Sequence, residues 1–155
     1  MHRLRIELDD PGRDDIRRLL ERHLAWAHEH SPPEDVHALD IDGLRVPEVS
    51  FYSGRLDGTL VVVGALKELD PTHGELKSMH TSAESRGQGA GRAMVDHLVA
   101  EARRRGYRQV SLETGSNDPF VPARSMYLST GFVECGPFAD YELSDFSTFM
   151  TLDLA

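Results

Sequence analysis

The residues best suited to chemistry are Arg86-Gly87-Gln88-Gly89-Ala90-Gly91, followed by Arg92, between a strand-like run and a long helical one. Glycines at a helix N-terminus let the main chain approach a ligand closely and aim free N–H groups at one point. With the positive end of the helix dipole, those donors suit a pyrophosphate. Arg86 and Arg92 can add charge-assisted contacts to its oxygens. The bland alternative is a tight strand-to-helix turn with no ligand. A P-loop needs Lys and Ser/Thr after its last glycine, and Arg92-Ala93 stand there instead. A dinucleotide fingerprint comes closer, because Glu113 ends a strand about where a ribose-binding acid belongs. Its third glycine position, however, holds Arg92, and the polar stretch Ser82 to Ser85 separates strand from glycines.

Other eye-catching residues read more plainly. His23, His28, His30 and His37 lack a second cluster at zinc spacing, so no metal is expected. Cys135 has no paired base in its vicinity and reads as a small core residue. Trp26 reads as packing at a helix end, with lining of an acceptor pocket as the alternative.

The elements that must position the loop follow from periodicity. The spacing of Ile16, Leu19, Leu20, His23, Leu24 and Ala27 predicts a helix from about Pro11 to Ala27, capped by Asp9 or Asp10 and broken by Ser31-Pro32-Pro33. Val36 to Val46 reads as a short helix or ordered loop. Val49 to Arg55, Thr59 to Leu69 and Glu75 to Thr81 read as strands, and their short connections predict an antiparallel meander. Gly89 to Arg105 is predicted helical, closed by Gly106. Val110 to Glu113 follows as a strand, so a crossover onto a parallel neighbour is expected. Pro122 to Ser129 forms a second short helix; Val133 to Cys135 and Thr148 to Leu154 supply the last strands. The whole is one mixed α/β domain over residues 1–155, built around a central sheet.

In that frame, Arg-x-x-Gly-x-Gly at Arg86, Gly89 and Gly91 resembles the acetyl-CoA signature of the GCN5-related N-acetyltransferase (GNAT) superfamily. Downstream, Ala123-Arg124-Ser125-Met126-Tyr127-Leu128-Ser129-Thr130-Gly131-Phe132 looks like its closing Ala-x-x-x-Tyr-x-x-x-Gly-Phe segment. The resemblance spans about residues 50–135 and extends to small bacterial members whose acceptors are mostly unassigned.

The resemblance implies the GNAT fold: a helix, a three-strand meander, then β-α-β with splayed strands. It implies acetyl-CoA as co-substrate, its pantetheine paired with Met79, His80 and Thr81 and its pyrophosphate on Arg86, Gly87, Gln88, Gly89, Ala90, Gly91 and Arg92. An amine then attacks the thioester directly, main-chain donors stabilise the oxyanion, and Tyr127 matches the acid for the leaving thiolate. Glu75 is the first candidate base, with Glu113 as base or amine anchor and His80 third; a structural pairing with Lys77 or a nearby arginine is the alternative. Phe120 stands where the superfamily often has a pantetheine-contacting Asn, with Asn117 as candidate replacement. Asp140-Tyr141-Glu142 falls in a loop that often shapes acceptor sites.

Composition narrows the partners. A net charge of −9 argues against nonspecific binding to nucleic acid or anionic membrane. The charged start and the short apolar run Leu60 to Leu66 give neither signal peptide nor membrane span, and a single cysteine suits a reducing compartment. A cytoplasmic acyltransferase acting on a small-molecule or peptide amine is expected, and the resemblance is compatible with a homodimer. An inert acyl-CoA-binding module and a dinucleotide-dependent oxidoreductase are the alternatives.

Overall fold

A computed structural model describes residues 3–32 and 41–155. Among the described residues, seven strands form one sheet in the order β1-β2-β3-β4-β5-β7-β6. The elements run β1 (Leu4–Leu8), α1 (Asp14–His30), β2 (Val49–Leu56), β3 (Thr59–Asp70), β4 (His73–Thr81), α2 (Ala90–Arg104), β5 (Gln109–Gly115), α3 (Val121–Ser129), β6 (Val133–Cys135) and β7 (Ser147–Asp153). β2, β3 and β4 form the expected antiparallel meander, β5 lies parallel to β4, and β7 inserts antiparallel between β5 and β6.

Alternation along β3 separates two apolar layers, as period-two side chains must. Val62 and Leu66 join Met94, Val95 and Leu98 of α2 and Tyr127 of α3 on one face. Val63 and Ala65 join Ile16, Leu19 and Leu20 of α1, with Leu44 and Phe51, on the other. β4 therefore has α2 and α3 before it and α1 behind it.

Four details differ from the sequence-based expectation. β1 was not expected, yet it pairs Leu4 to Leu8 antiparallel with Leu56 to Tyr52 and adds an edge to the sheet. α1 begins at Asp14 rather than Pro11, because neither aspartate caps it. Asp10 accepts the Gly12 N–H and the Arg45 guanidinium, while Asp9 accepts the Ser53 hydroxyl. These bonds build a turn ahead of the helix. Cys135 sits half-buried on the edge strand β6 instead of in the core. The stretch read as a short helix or ordered loop falls partly outside the described residues, as does His37; its described part is a set of turns that buries Leu44.

Candidate active site

β4 and β5 pair at only three positions, His73 with Gln109, Gly74 with Val110 and Glu75 with Ser111. Beyond them β4 follows β3 to Thr81 and β5 follows β7 to Gly115, so the two strands part. A bulge accentuates the departure: Gly64 faces both Ser78 and Met79, and Ser78 takes a left-handed φ of 55°. The opening between them is a cavity of about 610 Å³.

The glycine loop meets that cavity at its α2 end. A 3-10 turn over Ala83–Ser85 leads from β4 to Gly87 and Gly89, whose φ values of 79° and 85° are left-handed and strain any residue with a Cβ. The first helical bond runs from the Ala93 N–H to the Gly89 carbonyl. The N–H groups of Gly89, Ala90, Gly91 and Arg92 therefore have no acceptor within the helix. At Gly91 a Cβ would stand 3.1 Å from Thr81 Oγ1 and 3.3 Å from Met126 Sδ, so the helix start lies tight against β4 and α3. Arg86 and Arg92 are exposed on the cavity rim, and Arg92 leans on Ser129 Oγ at 3.3 Å. Gln88 is exposed and does not reach the cavity lining.

The other residues singled out in the sequence gather around the same space. Met79, His80, Thr81, Glu75, Glu113 and Tyr127 all line it. Tyr127 is buried on α3, its ring edge-on to Phe132, and burial with the nearby Glu113 charge pushes its phenol well above the usual tyrosine value. It is a protonated O–H donor at neutral pH.

Glu75 is almost completely enclosed, at 2% exposure. Its Oε2 accepts the Tyr141 hydroxyl at 2.5 Å and the Lys77 ammonium at 3.1 Å, and Lys77 also donates to the Tyr141 oxygen at 2.8 Å. This closed ring explains how a carboxylate and an ammonium, with side chains 3% and 8% exposed, survive burial. Desolvation, then the Glu75 charge, drive the Tyr141 phenol far upward, so Tyr141 is the donor in the pair. All three side chains also border a second cavity, of about 920 Å³, between the β3–β4 turn and residues 139–144. The pairing with Lys77 that the sequence offered as an alternative is thus present, with Tyr141 as an added member.

The α1 face carries residues that sequence reasoning placed elsewhere. His23, counted in the buried stripe of α1, lines the cavity with its ring 4.6 Å from that of His80. Trp26 lines it too, packed against His30 at 4.7 Å and edge-on to Phe120 at 4.8 Å. Asn117 does not border the cavity: its amide donates to the His30 carbonyl at 2.6 Å and ties the end of α1 to the β5–α3 connection. The signal for His23 was present in the sequence. A polar ring three and four residues before Trp26 and Ala27 lies at the edge of the apolar stripe, where a helix can face a cleft.

Residues 13–132 match the acetyltransferase (GNAT) family. An uncharacterized N-acetyltransferase of Bacillus subtilis, YsnE, is 45% identical over 151 residues, covering 97% of this chain and all of its own. A Klebsiella pneumoniae protein assigned to the acyl-CoA N-acyltransferases has the same fold, with a TM-score of 0.81 at 25% identity over 98% of both chains. A Bacillus subtilis acetyltransferase solved with CoA superposes with a TM-score of 0.72 at 18% identity, over 99% of this chain and all of its own. These likenesses displace the dinucleotide-dependent oxidoreductase. With its parted strands, glycine loop and Tyr127 segment in register, the chain belongs to the GNAT acetyltransferase family and is an acyl-CoA-dependent N-acyltransferase.

Proposed function

We propose that this protein moves the acetyl group of acetyl-CoA to a primary amine of a small molecule or peptide, in a ternary complex and without a covalent enzyme intermediate. The observation that carries this reading is the single cavity joining the glycine loop, the parted strands and Tyr127. The residues present fit the donor: four main-chain N–H groups without helical acceptors and two rim arginines suit its pyrophosphate. The main chain of Met79, His80 and Thr81 suits its pantetheine amides. When bound, acetyl-CoA supplies the activated thioester.

The protein's own groups then divide the work. Holding both substrates in one cleft supplies much of the acceleration. Tyr127, kept protonated by burial, donates to the departing sulfur. Glu113 anchors the amine or takes its proton. Glu75 fills either role through the hydroxyl of Tyr141, which it already binds. Phe120, in place of the amide the family often carries, offers the pantetheine an apolar wall.

The test is calorimetric titration with acetyl-CoA, CoA and NADH, repeated on Gly89→Trp. Micromolar acetyl-CoA binding that disappears in the variant supports the reading, and primary amines are then screened for release of free thiol. Absent CoA binding, or binding indifferent to Gly89, would sink it.

A further inference from the structure

The α1 face of β5 ends in an aromatic corner. Val110 and Leu112 point into the α2 layer, so Ser111, Glu113 and Gly115 point to the opposite face, where Ser111 meets His73 of β4 at 2.7 Å. At Gly115 a Cβ would collide with the Phe120 ring, so that ring lies directly on the β5 main chain. Trp26 of α1 meets it edge-on at 4.8 Å, and both rings border the cavity.

The corner is braced from behind. His30 packs on Trp26 at 4.7 Å, the Asn117 amide donates to the His30 carbonyl at 2.6 Å, and Arg124 donates to the Gly115 and Asn117 carbonyls at 2.7 and 3.1 Å. Trp26 and Phe120 are nevertheless only half-buried. Apolar surface held open to water is unfavourable, and two fixed rings offer a flat apolar ligand a preformed wall.

Glu113 stands beside this wall. Residues two apart on a strand share a face and lie about 7 Å apart, so the Glu113 carboxylate borders the cavity next to the ring over Gly115. Its charge raises the phenols of both Tyr127 and Tyr141, which puts Glu113 at the reacting end of the cleft. The other aromatic residues on this face, Phe138, Phe149 and Tyr141, pack on one another, and of these only Tyr141 borders the cavity. A carboxylate and an open aromatic corner, two strand residues apart, match an ammonium joined to a ring by a short alkyl link.

We infer that the acceptor is an arylalkylamine: Glu113 holds its ammonium, and its ring lies in the corner of Trp26 and Phe120. This rests on the acetyl-transfer reading above and adds the class of acceptor. Phe120 also borders the donor, so Trp26, which comes from α1, carries the discrimination between acceptors.

The experiment uses the full chain with acetyl-CoA and compares phenethylamine with ethylamine. Expected is a kcat/KM for phenethylamine roughly 10- to 100-fold above that for ethylamine, the range for burying a phenyl group. Trp26→Leu, which keeps an apolar side chain against Phe120, should cut that ratio roughly fivefold and leave acetyl-CoA affinity in calorimetry unchanged. Glu113→Gln should weaken both amines alike and leave the ratio. Trp26 is the chain's single tryptophan, so its emission in the CoA complex reports on the corner itself. Phenethylamine should shift that emission saturably, and ethylamine should not. Emission that stays still, equal turnover of the two amines, or a ratio untouched by Trp26→Leu overturns the arylalkylamine assignment alone. If neither amine is acetylated, the emission decides. Failure of the unmodified protein to bind acetyl-CoA overturns the transfer reading, and the acceptor class with it.

Discussion

The two sides of β4 are built from different materials. On the α2 side one contiguous stretch, Arg86 to Arg92, presents main-chain N–H groups, and glycines are there because left-handed turns and close packing admit little else. On the α1 side, His23, Trp26, Lys77, His80, Glu113 and Tyr141 arrive from two strands, a helix and a loop. A site made of backbone tolerates changes of side chain around it. One made of converging side chains changes its preference whenever any contributor changes, as suits a family that keeps its donor and varies its acceptors.

The sharpest way to break this contrast is at the buried ring. Glu75→Leu strands the Lys77 ammonium, and we expect a loss of about 3–5 kcal/mol in chemical denaturation, the scale of an uncompensated buried charge. The double change Glu75→Leu with Lys77→Met should recover much of it. A Glu75→Leu variant of full stability would mean that the ring does not anchor the loop bearing Tyr141.

Tyr127→Phe tests whether the donor side also carries chemistry. Turnover should fall by roughly 10²-fold, in the range of one positioned proton donor, while acetyl-CoA affinity in calorimetry holds. Equal losses in both would reduce Tyr127 to packing against Phe132.

Arg86→Ala should weaken acetyl-CoA binding by about 1.5–3 kcal/mol, as for a hydrogen bond to a charged group, and flatten its salt dependence. Thr81→Val, at the mouth of the same loop, should weaken it less. The reverse order would shift the anion site from the rim to the strand.

The smallest effect lies remote from both sides. Arg104 and Arg105 bond to Glu101 at the end of α2 and hold its carboxyl at about 2. A carboxyl depressed in the folded state stabilises the protein above its unfolded value and loses that contribution as pH falls. Glu101→Gln should therefore narrow the stability difference between variant and parent in acid melts from near pH 4.5 down to about 2. A difference that is constant over this window would show that the pair adds nothing.

How much was legible beforehand follows the same division. Local chemistry announces local structure: helical spacing marked α1 and α2, alternation marked the meander, and the glycines marked the turn into α2 within a residue or two. β1 escaped although Leu4, Ile6 and Leu8 alternate, because a half-exposed edge strand has only its pairing with β2 to declare it. The start of α1 slipped three residues because Asp9 and Asp10 found partners in Ser53 and Arg45, far along the chain. Tyr141 was visible only as a loop residue near the acceptor side; its bond to Glu75 spans 66 positions.

By itself the sequence determined the order of strands and helices from β2 onward, the glycine turn and the family, since each depends on residues adjacent or at fixed short spacing and on backbone conformations few residue types can adopt. Tertiary structure alone decided that Glu75 closes a ring with Lys77 and Tyr141, which histidines line the cleft and where β4 leaves β5. Those depend on side chains meeting across the sheet, where packing and desolvation set the outcome and spacing along the chain carries no record of it.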